Sequence, residues 1–262
     1  NTMGRKARLC VFAMLLLVTG CVCATPNGLS GWSSFPDPTQ DRTMLQCANH
    51  SDAEWHVTLE NDTVHIVPYY RELRETPRLK TPTGWLWGVD AGQYGGALWW
   101  FSDSERERIK LLDENVVGIA ELESGILVFT GLCHMVCDQG KVIVISNEQV
   151  GPPRITHSVE LGSVPWAYAK ESADTALVGT TTGMFRVWSS GEIQKVASTD
   201  YSHLYPNSMV LLPSGEVYVG MRHFVTRLTP QEGQCVVEWF VQETCTRFDL
   251  QDDDCVCVDE GM

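Results

Sequence analysis

"ADTALVGTTTGMFRVWSSGEIQKV", residues 173–196, contains two short apolar runs separated by a Thr-Thr-Gly turn and followed by a Ser-Ser-Gly turn. A further apolar run, "VPWAYAK" (164–170), precedes it across the turn-like "ESAD". Short runs of β-branched and aromatic residues between such turns are typical of β-strands. The stretch therefore predicts an antiparallel meander of four strands, "PWAYA", "TALVGT", "MFRVW" and "EIQKV".

The same pattern recurs along the chain. A shift of 41 residues places Val178-Gly179 on Val219-Gly220 without a gap, and a shift of 90 places "LESGILVFTG" (122–131) on "LPSGEVYVGM" (212–221). Weaker copies occur at 84–103 and in the hairpin 54–70, where Asn61-Asp62 makes the turn. Four-stranded units of about 40 residues in tandem indicate a β-propeller. We expect residues 52–242 to form an all-β propeller of about five four-stranded antiparallel blades, with a two-sheet β-sandwich as the alternative.

The segment "LVGTTTGMFRV" (177–187) resembles the repeat of periplasmic sensor-type propellers, in which a strand ending in Gly-Thr turns through Gly into an aromatic strand. The resemblance covers two units well and three more weakly. It implies a propeller with an interaction role and implies no substrate.

The N-terminal residues have the pattern of an export signal. Arg5, Lys6 and Arg8 precede "LCVFAMLLLVTG" (9–20), an apolar run of signal-peptide length, so residues 1–20 are predicted to be a signal peptide. The run ends in "VTGC", which resembles the lipobox of bacterial lipoproteins and implies acylation of Cys21. Residues 21–51, rich in Pro, Gly, Ser and Thr, are predicted to form a lipid-anchored tether, although a coil packed on the domain has the same composition.

This signal predicts a protein of the bacterial cell envelope that faces the periplasm or the cell exterior. The alternative is cleavage after Ala24 and secretion, in which case Asn49 and Asn61 lie in glycosylation sequons. The chain has 19 basic and 33 acidic residues, a formal charge of −14. Such a charge repels nucleic acid and anionic lipid headgroups, so we expect contact with the membrane through the lipid anchor only.

The ten cysteines fit an oxidising compartment. Removal of Cys10 and acylation of Cys21 leave an even number for disulfides. The insertion "LCHMVCDQ" (132–139) is predicted to be a loop closed by a Cys133–Cys137 disulfide, with His134 and Met135 at its tip contacting a partner protein. Residues 243–262 form an acidic tail, and disulfides are predicted there and just before it at Cys235, Cys245, Cys255 and Cys257. A metal site at Cys133 and Cys137 lacks a second ligand pair, so neither a metal nor another cofactor is predicted.

Four of the nine tryptophans lie close together in "GWLWGVDAGQYGGALWWF" (84–101). Because side chains alternate along a strand, they cannot all enter one core. The first interpretation is packing between blades, and the functional interpretation is an aromatic patch that binds a protein or a glycan. The patch consists of Trp85, Trp87, Trp99 and Trp100.

No catalytic motif is present in the sequence. The predicted function is therefore a non-enzymatic protein-binding module, of the envelope-assembly or toxin-immunity type. The alternative is a metal-dependent hydrolase or lyase with its site in the central channel, because propellers gather single side chains there from different blades. His203, Asn207 and His223 are the first candidates for such a site.

Overall fold

The computed structural model describes residues 29–70, 76–134, 137–231, 234–245, 247–251 and 254–258. The predicted signal peptide and the acylation site at Cys21 lie outside the described residues. Within these residues, helix α1 spans Arg42–Asn49, and 3-10 helices span Pro38–Gln40 and Gly92–Tyr94. The strands are β1 (Trp32–Phe35), β2 (Trp55–Glu60), β3 (Thr63–Pro68), β4 (Arg78–Thr81), β5 (Gly84–Asp90), β6 (Gly96–Ser102), β7 (Arg108–Leu112), β8 (Val116–Glu121), β9 (Ile126–His134), β10 (Cys137–Ile145), β11 (Ile155–Glu160), β12 (Pro165–Lys170), β13 (Thr175–Thr180), β14 (Gly183–Trp188), β15 (Ile193–Ala197), β16 (Ser208–Leu211), β17 (Val217–Gly220), β18 (Val225–Gln231), β19 (Gln234–Gln242), β20 (Arg247–Gln251) and β21 (Asp254–Val258).

Successive strands pair into antiparallel meanders. The sheets β4–β7, β8–β11 and β12–β15 each have four strands, and β16–β19 gains β1 as a fifth strand on its outer edge. The strands β2 and β3 form a hairpin. The predicted all-β propeller is confirmed, and within the described residues its first unit has two strands.

The turn between β2 and β3 illustrates how local sequence sets the register. Asn61 and Asp62 have φ angles of 49° and 58°. Two consecutive left-handed residues produce the turn whose twist matches that of antiparallel strands, and Asn and Asp tolerate this conformation best after Gly. The sequence prediction of a hairpin turn here is confirmed.

Buried apolar clusters lie at four of the junctions between neighbouring units of the described chain. They lie between β4–β7 and β8–β11, between β8–β11 and β12–β15, between β12–β15 and β16–β19, and between β16–β19 and the β2–β3 hairpin. In the described part of the chain no such cluster joins the β2–β3 hairpin to β4–β7. One broad face of the β4–β7 sheet therefore lacks a neighbour of this kind.

The segment predicted to be a tether is packed on the propeller. Strand β1 pairs with β19, and the ring of Trp32 lies 5.0 Å from that of Trp55. Helix α1 begins after Asp41, whose carboxylate accepts hydrogen bonds from the backbone N–H groups of Thr43 and Met44. The tether prediction is wrong for residues 29–51, because β1 pairs with the last blade and its aromatic side chains pack on that blade and on the β2–β3 hairpin. Among the described residues no helix is long and apolar enough to cross a bilayer.

The C-terminal residues also pack on the domain. Strands β20 and β21 form a hairpin that contacts α1. The ring of Phe248 lies 5.6 Å from that of Phe35 and 4.6 Å from that of His223. This part of the predicted acidic tail is therefore attached to the last blade next to β1.

Candidate functional site

Alternate residues of β5 and β6 lie on opposite faces of the β4–β7 sheet. Leu86, Leu98 and Trp100 are buried in the cluster shared with β8–β11. Trp85 and Trp87 lie on the other face and are 43% and 46% exposed. Because strand side chains alternate, the order Trp-Leu-Trp gives one buried position between two exposed ones.

Strand β6 completes an aromatic surface on the exposed face. The register places Trp99 beside Trp87 and Phe101 beside Trp85, and the ring centroids of Trp87 and Phe101 are 5.8 Å apart. Val89 is the next exposed residue of β5 on this side. We call the surface formed by Trp85, Trp87, Val89, Trp99 and Phe101 the tryptophan face. Contiguous apolar surfaces of this kind mark interaction sites more often than isolated exposed side chains do.

Cationic side chains lie over the rings of the tryptophan face. The guanidinium carbon of Arg108 is 3.8 Å from the ring centroid of Trp99, and the Lys110 Nζ is 5.4 Å from the same centroid. The Lys80 Nζ is 5.6 Å from the ring of Trp85. Cations attracted to aromatic faces in this way give the apolar surface a positive border.

The cations differ in their acidic neighbours. Lys80 forms an ion pair with Asp103, and Lys110 forms one with Asp113 at 3.0 Å. Arg108 has no acidic partner among the described residues. Its charge is therefore available to a carboxylate of another molecule, on a chain whose overall charge is −14.

The structure separates the four predicted tryptophans. Trp85 and Trp87 are exposed and Trp99 is half-buried on the tryptophan face. The prediction is wrong for Trp100, which is 2% exposed. Trp100 follows Trp99 directly, so it points to the opposite face and fills the core next to β8–β11.

The predicted insertion loop is the end of a long hairpin. Strands β9 and β10 remain paired up to His134 and Cys137, so the insertion lengthens two strands instead of forming an irregular loop. His134 is exposed near the tip of this hairpin. Met135 lies outside the described residues.

The prediction of a Cys133–Cys137 disulfide is wrong, and the strand register explains why. The Cys133 thiol is free and exposed. Position 133 is paired with Asp138, and position 137 is paired with His134. Paired positions share a face and successive positions alternate, so positions 133 and 137 belong to opposite faces of the hairpin. Partial desolvation of the sulfur, followed by the charge of Asp138, raises the pKa of the Cys133 thiol.

The other cysteines divide between free and bonded. The Cys235 thiol is free, so the prediction of a disulfide there is wrong; the position opposite it across the β18–β19 ladder is Pro230 and not a cysteine. Cys245 is disulfide-bonded, as is Cys47 in α1. Cys255 and Cys257 lie on β21, and their side chains are outside the described residues.

A central cavity of about 690 Å³ is the second candidate site. Its lining takes residues from every unit of the ring, including His56, Arg78, Val117, Trp166 and Ser208. These residues come from β2, β4, β8, β12 and β16, the first strand of each unit. The cavity is thus the central channel that a propeller is expected to have.

Only one of the three histidine and asparagine candidates lines this cavity. Asn207 does so, whereas His203 is exposed elsewhere and His223 is buried against Phe248. Burial, followed by the charge of Arg222, lowers the pKa of His223 to about 4. Among the described residues no group of three or more His, Cys, Asp or Glu side chains is placed to hold a metal ion.

Among the channel residues that sequence reasoning missed are His56 and Trp166. A usable signal was present for Trp166, because the shift of 41 residues places it on Asn207. No comparable signal marks His56, which lies in a hairpin outside the well-matched repeats.

No protein-family model matches the chain, and no curated protein matches its sequence. Solved structures with similar folds include a functionally unknown protein from Desulfotomaculum acetoxidans, with a TM-score of 0.43 and 14% identity over 69% of this chain. A protein from Lactobacillus plantarum gives a TM-score of 0.42 and 9% identity over 64% of this chain. A luciferin-regenerating enzyme gives a TM-score of 0.43 and 8% identity over 76% of this chain and 78% of its own. The chain spans 60% and 53% of the lengths of the first two proteins.

Proposed function

We propose that this protein is a non-enzymatic binding module whose protein partner docks on the tryptophan face. The observation that carries the proposal is the pair of exposed indoles, Trp85 and Trp87, on a sheet face that no buried apolar cluster of the described residues covers. Buried against a partner, such side chains contribute more binding free energy per residue than most others. A face built for solvent would carry polar side chains at these positions.

The proposed partner has an apolar centre surrounded by carboxylates. Arg108, Lys80 and Lys110 border the aromatic rings. A partner with acidic side chains at the matching positions would be guided to the face by charge and selected by it. We therefore expect binding to weaken as salt concentration rises.

Two other occupants fit the surface less well. A second copy of this chain, related by a two-fold axis, would bring together two surfaces with the same cations at their border and would supply no new carboxylate for Arg108 at a matching position. A sugar ring stacks on an open indole face, and one face of Trp99 is covered by Arg108 at 3.8 Å. A protein surface with an apolar centre and acidic side chains around it can pack on the rings and pair with the cations.

The proposal includes export from a bacterial cell and a lipid anchor at Cys21. Its support is the lipobox-like Val18–Cys21 sequence together with the disulfide bonds at Cys47 and Cys245. Disulfides persist in oxidising compartments such as the periplasm and are uncommon in the cytosol. Anchored in this way, the module would present the tryptophan face to proteins of the cell envelope.

Site-specific photocrosslinking tests the docking surface. A benzophenone amino acid replaces Trp87 in the full chain, and intact cells of the source organism are irradiated. The control carries the same group at Tyr94, which is exposed beside the same sheet but lies outside the tryptophan face. We expect a discrete crosslinked protein from position 87 only, with the crosslink in a segment that contains Asp or Glu.

The captured protein is then purified and its affinity is measured directly. The Trp85→Ala/Trp87→Ala variant should bind it roughly thirty-fold more weakly, the loss expected for a central hot spot. The Tyr94→Ala variant should bind as the wild type does. Equal crosslinking at 87 and 94, or unchanged affinity in the double variant, would overturn the proposal. A crosslinked product that contains carbohydrate and no peptide would assign the face to a glycan.

A further inference from the structure

Three residues that line the central cavity each have a buried polar atom without a hydrogen-bond partner among the described residues. These atoms are His56 Nδ1, Trp166 Nε1 and Asn207 Nδ2. An indole N–H and an amide NH2 group can only donate hydrogen bonds. Unpaired buried donors are uncommon in folded proteins, so the cavity is short of acceptors.

A chain of hydrogen bonds fixes the orientation of the Asn207 side chain. The backbone N–H of Val57 donates to Ser208 Oγ at 2.9 Å, and Ser208 Oγ donates to Asn207 Oδ1 at 2.8 Å. The Ser208 hydroxyl thus accepts one hydrogen bond from the backbone and donates its own proton to the Asn207 amide oxygen. The amide oxygen is thereby held, and the NH2 group is the part left without a partner.

The same position of successive blades faces the cavity. The register of β12 shifts between Pro165 and Ala167, so Trp166 is the extra residue of a bulge, and β8 has the same irregularity at Val117. Bulges redirect a side chain, and both bulged residues line the cavity. The 41-residue repeat places Asn207 at the equivalent point of the next blade. The ring thus presents an apolar side chain from one blade and a hydrogen-bond donor from each of the next two.

The charge of the cavity lining is opposite to that of the whole chain. Arg78 contributes a guanidinium, and none of the described lining residues carries a carboxylate. The chain as a whole has 33 acidic residues. A cavity with a cation, free donors and no acidic side chain favours an anion over a cation. Burial lowers the pKa of His56, and the neighbouring Asn207 side chain opposes this shift.

We propose that the central cavity binds a small organic carboxylate. The carboxylate accepts hydrogen bonds from Trp166 and Asn207 and faces the Arg78 charge, while its apolar body lies against Val117 and Ile119. The cavity, about 690 Å³, has the size typical of small-molecule sites. This site is separate from the tryptophan face and does not depend on the function proposed for it.

Nuclear magnetic resonance of the indole N–H groups tests the proposal directly. Wild-type protein labelled with nitrogen-15 is titrated with acetate, benzoate and indole-3-acetate, and with the primary amide of each acid. A Trp166→Phe variant identifies the resonance of Trp166. We expect at least one carboxylate to shift this resonance, and its amide to bind about ten-fold more weakly because it lacks the charge. The resonances of Trp85 and Trp87 should not move.

Two variants and one control determine which groups hold the ligand. Asn207→Asp keeps the side-chain shape and replaces the donor by an acceptor, and Arg78→Gln removes the cation. Each should weaken carboxylate binding about ten-fold. The control Asn147→Asp makes the same chemical change outside the cavity and should leave binding unchanged. The proposal is overturned if none of the three carboxylates shifts the Trp166 resonance, if an amide binds as well as its acid, or if Asn207→Asp and Asn147→Asp bind alike.

Discussion

The β16–β19 and β4–β7 sheets have the same strand order and differ in how many of their faces are covered. In β17, the neighbouring residues Tyr218 and Val219 are 1% and 0% exposed, because one faces the β2–β3 hairpin and the other faces β12–β15. In β5, Leu86 is 0% exposed and its neighbour Trp87 is 46% exposed. The number of buried faces of a four-stranded unit therefore depends on whether another unit packs on each face. The open face of β4–β7 nevertheless carries aromatic side chains, which is why we assign it to a partner.

Truncation of single side chains should show most strongly that both faces of β16–β19 are buried, whereas only one face of β4–β7 is. We expect Tyr218→Ala and Leu86→Ala each to lower the free energy of unfolding by about 3 kcal/mol, through lost burial and a residual cavity. Trp87→Ala should lower it by less than about 1 kcal/mol, although it removes the largest side chain of the three. Denaturant titrations of the three variants measure these values. A loss for Trp87→Ala as large as that for Leu86→Ala would show that both faces of β4–β7 are core.

A buried histidine should make the stability of the covered blade sensitive to pH. The pKa of His223 is lowered from 6.5 to about 4, first by burial and then by the charge of Arg222. The unfolded chain binds a proton as pH falls below 6.5, while the folded chain stays neutral down to about pH 4. His223 therefore contributes stability that is present above pH 6.5 and is lost towards pH 4, roughly 3 kcal/mol in total.

Variants of two histidines isolate this effect. His223→Asn should remove most of the pH dependence over that interval, and Asn suits the φ of 58° at this position. His65→Asn, at an exposed position on β3, serves as the control and should leave the dependence unchanged. Free energies of unfolding measured across the interval check the expectation. An undiminished slope in His223→Asn would locate the responsible group elsewhere.

The packing of the covered face of β4–β7 against β8 can be tested at Gly88, where the two sheets are close together. A Cβ added to Gly88 would lie 2.4 Å from Cγ1 of Val116, which is too short for a contact. Gly88→Ala should therefore destabilise the protein by about 2 kcal/mol. In a double-mutant cycle, Val116→Ala should relieve part of this loss. Strictly additive effects of the two substitutions would mean that the two sheets do not meet here.

The smallest effect is expected at the border of the tryptophan face. Arg108→Ala removes the cation stacked on Trp99 and should cost about 0.5–1 kcal/mol of stability. Arg106→Ala, which removes an exposed arginine two residues away, is the matched control and should change stability less. Thermal unfolding of both variants gives the comparison. Equal shifts would show that the stacked cation contributes nothing to the fold.

Local patterns carried most of the information about the strands. The predicted strand "TALVGT" is β13 itself, and the 41-residue shift predicted β16–β19 to within a few residues. The Asn61-Asp62 turn was equally readable, because only a few residue types tolerate two left-handed positions in succession. These features depend on neighbours along the chain and therefore appear in the sequence.

Features that depend on which elements meet in space were not readable. Alternation showed that the tryptophans divide between two faces, and it did not show that the face with Trp100 is the covered one. The register of the β9–β10 hairpin puts positions 133 and 137 on opposite faces, and "LCHMVCDQ" contains no Gly, Pro or Asn that would have marked the turn between the strands. His56 reaches the cavity only because the ring brings β2 beside β16. The tether prediction failed for the same reason, since the partner of Trp32–Phe35 lies at the far end of the domain.

The pairing of β1 with β19 has a consequence for the order of events during synthesis. Residues 32–35 leave the ribosome first and their partners, residues 239–242, leave it about 200 residues later. At ordinary rates of translation this is a delay of roughly 10–40 s, during which the N-terminal strand has no native partner. Long-range pairing of this kind slows folding and leaves strand edges exposed. The ring therefore closes last, and a nascent chain is most exposed to chaperones and to misassociation just before its final blade is complete.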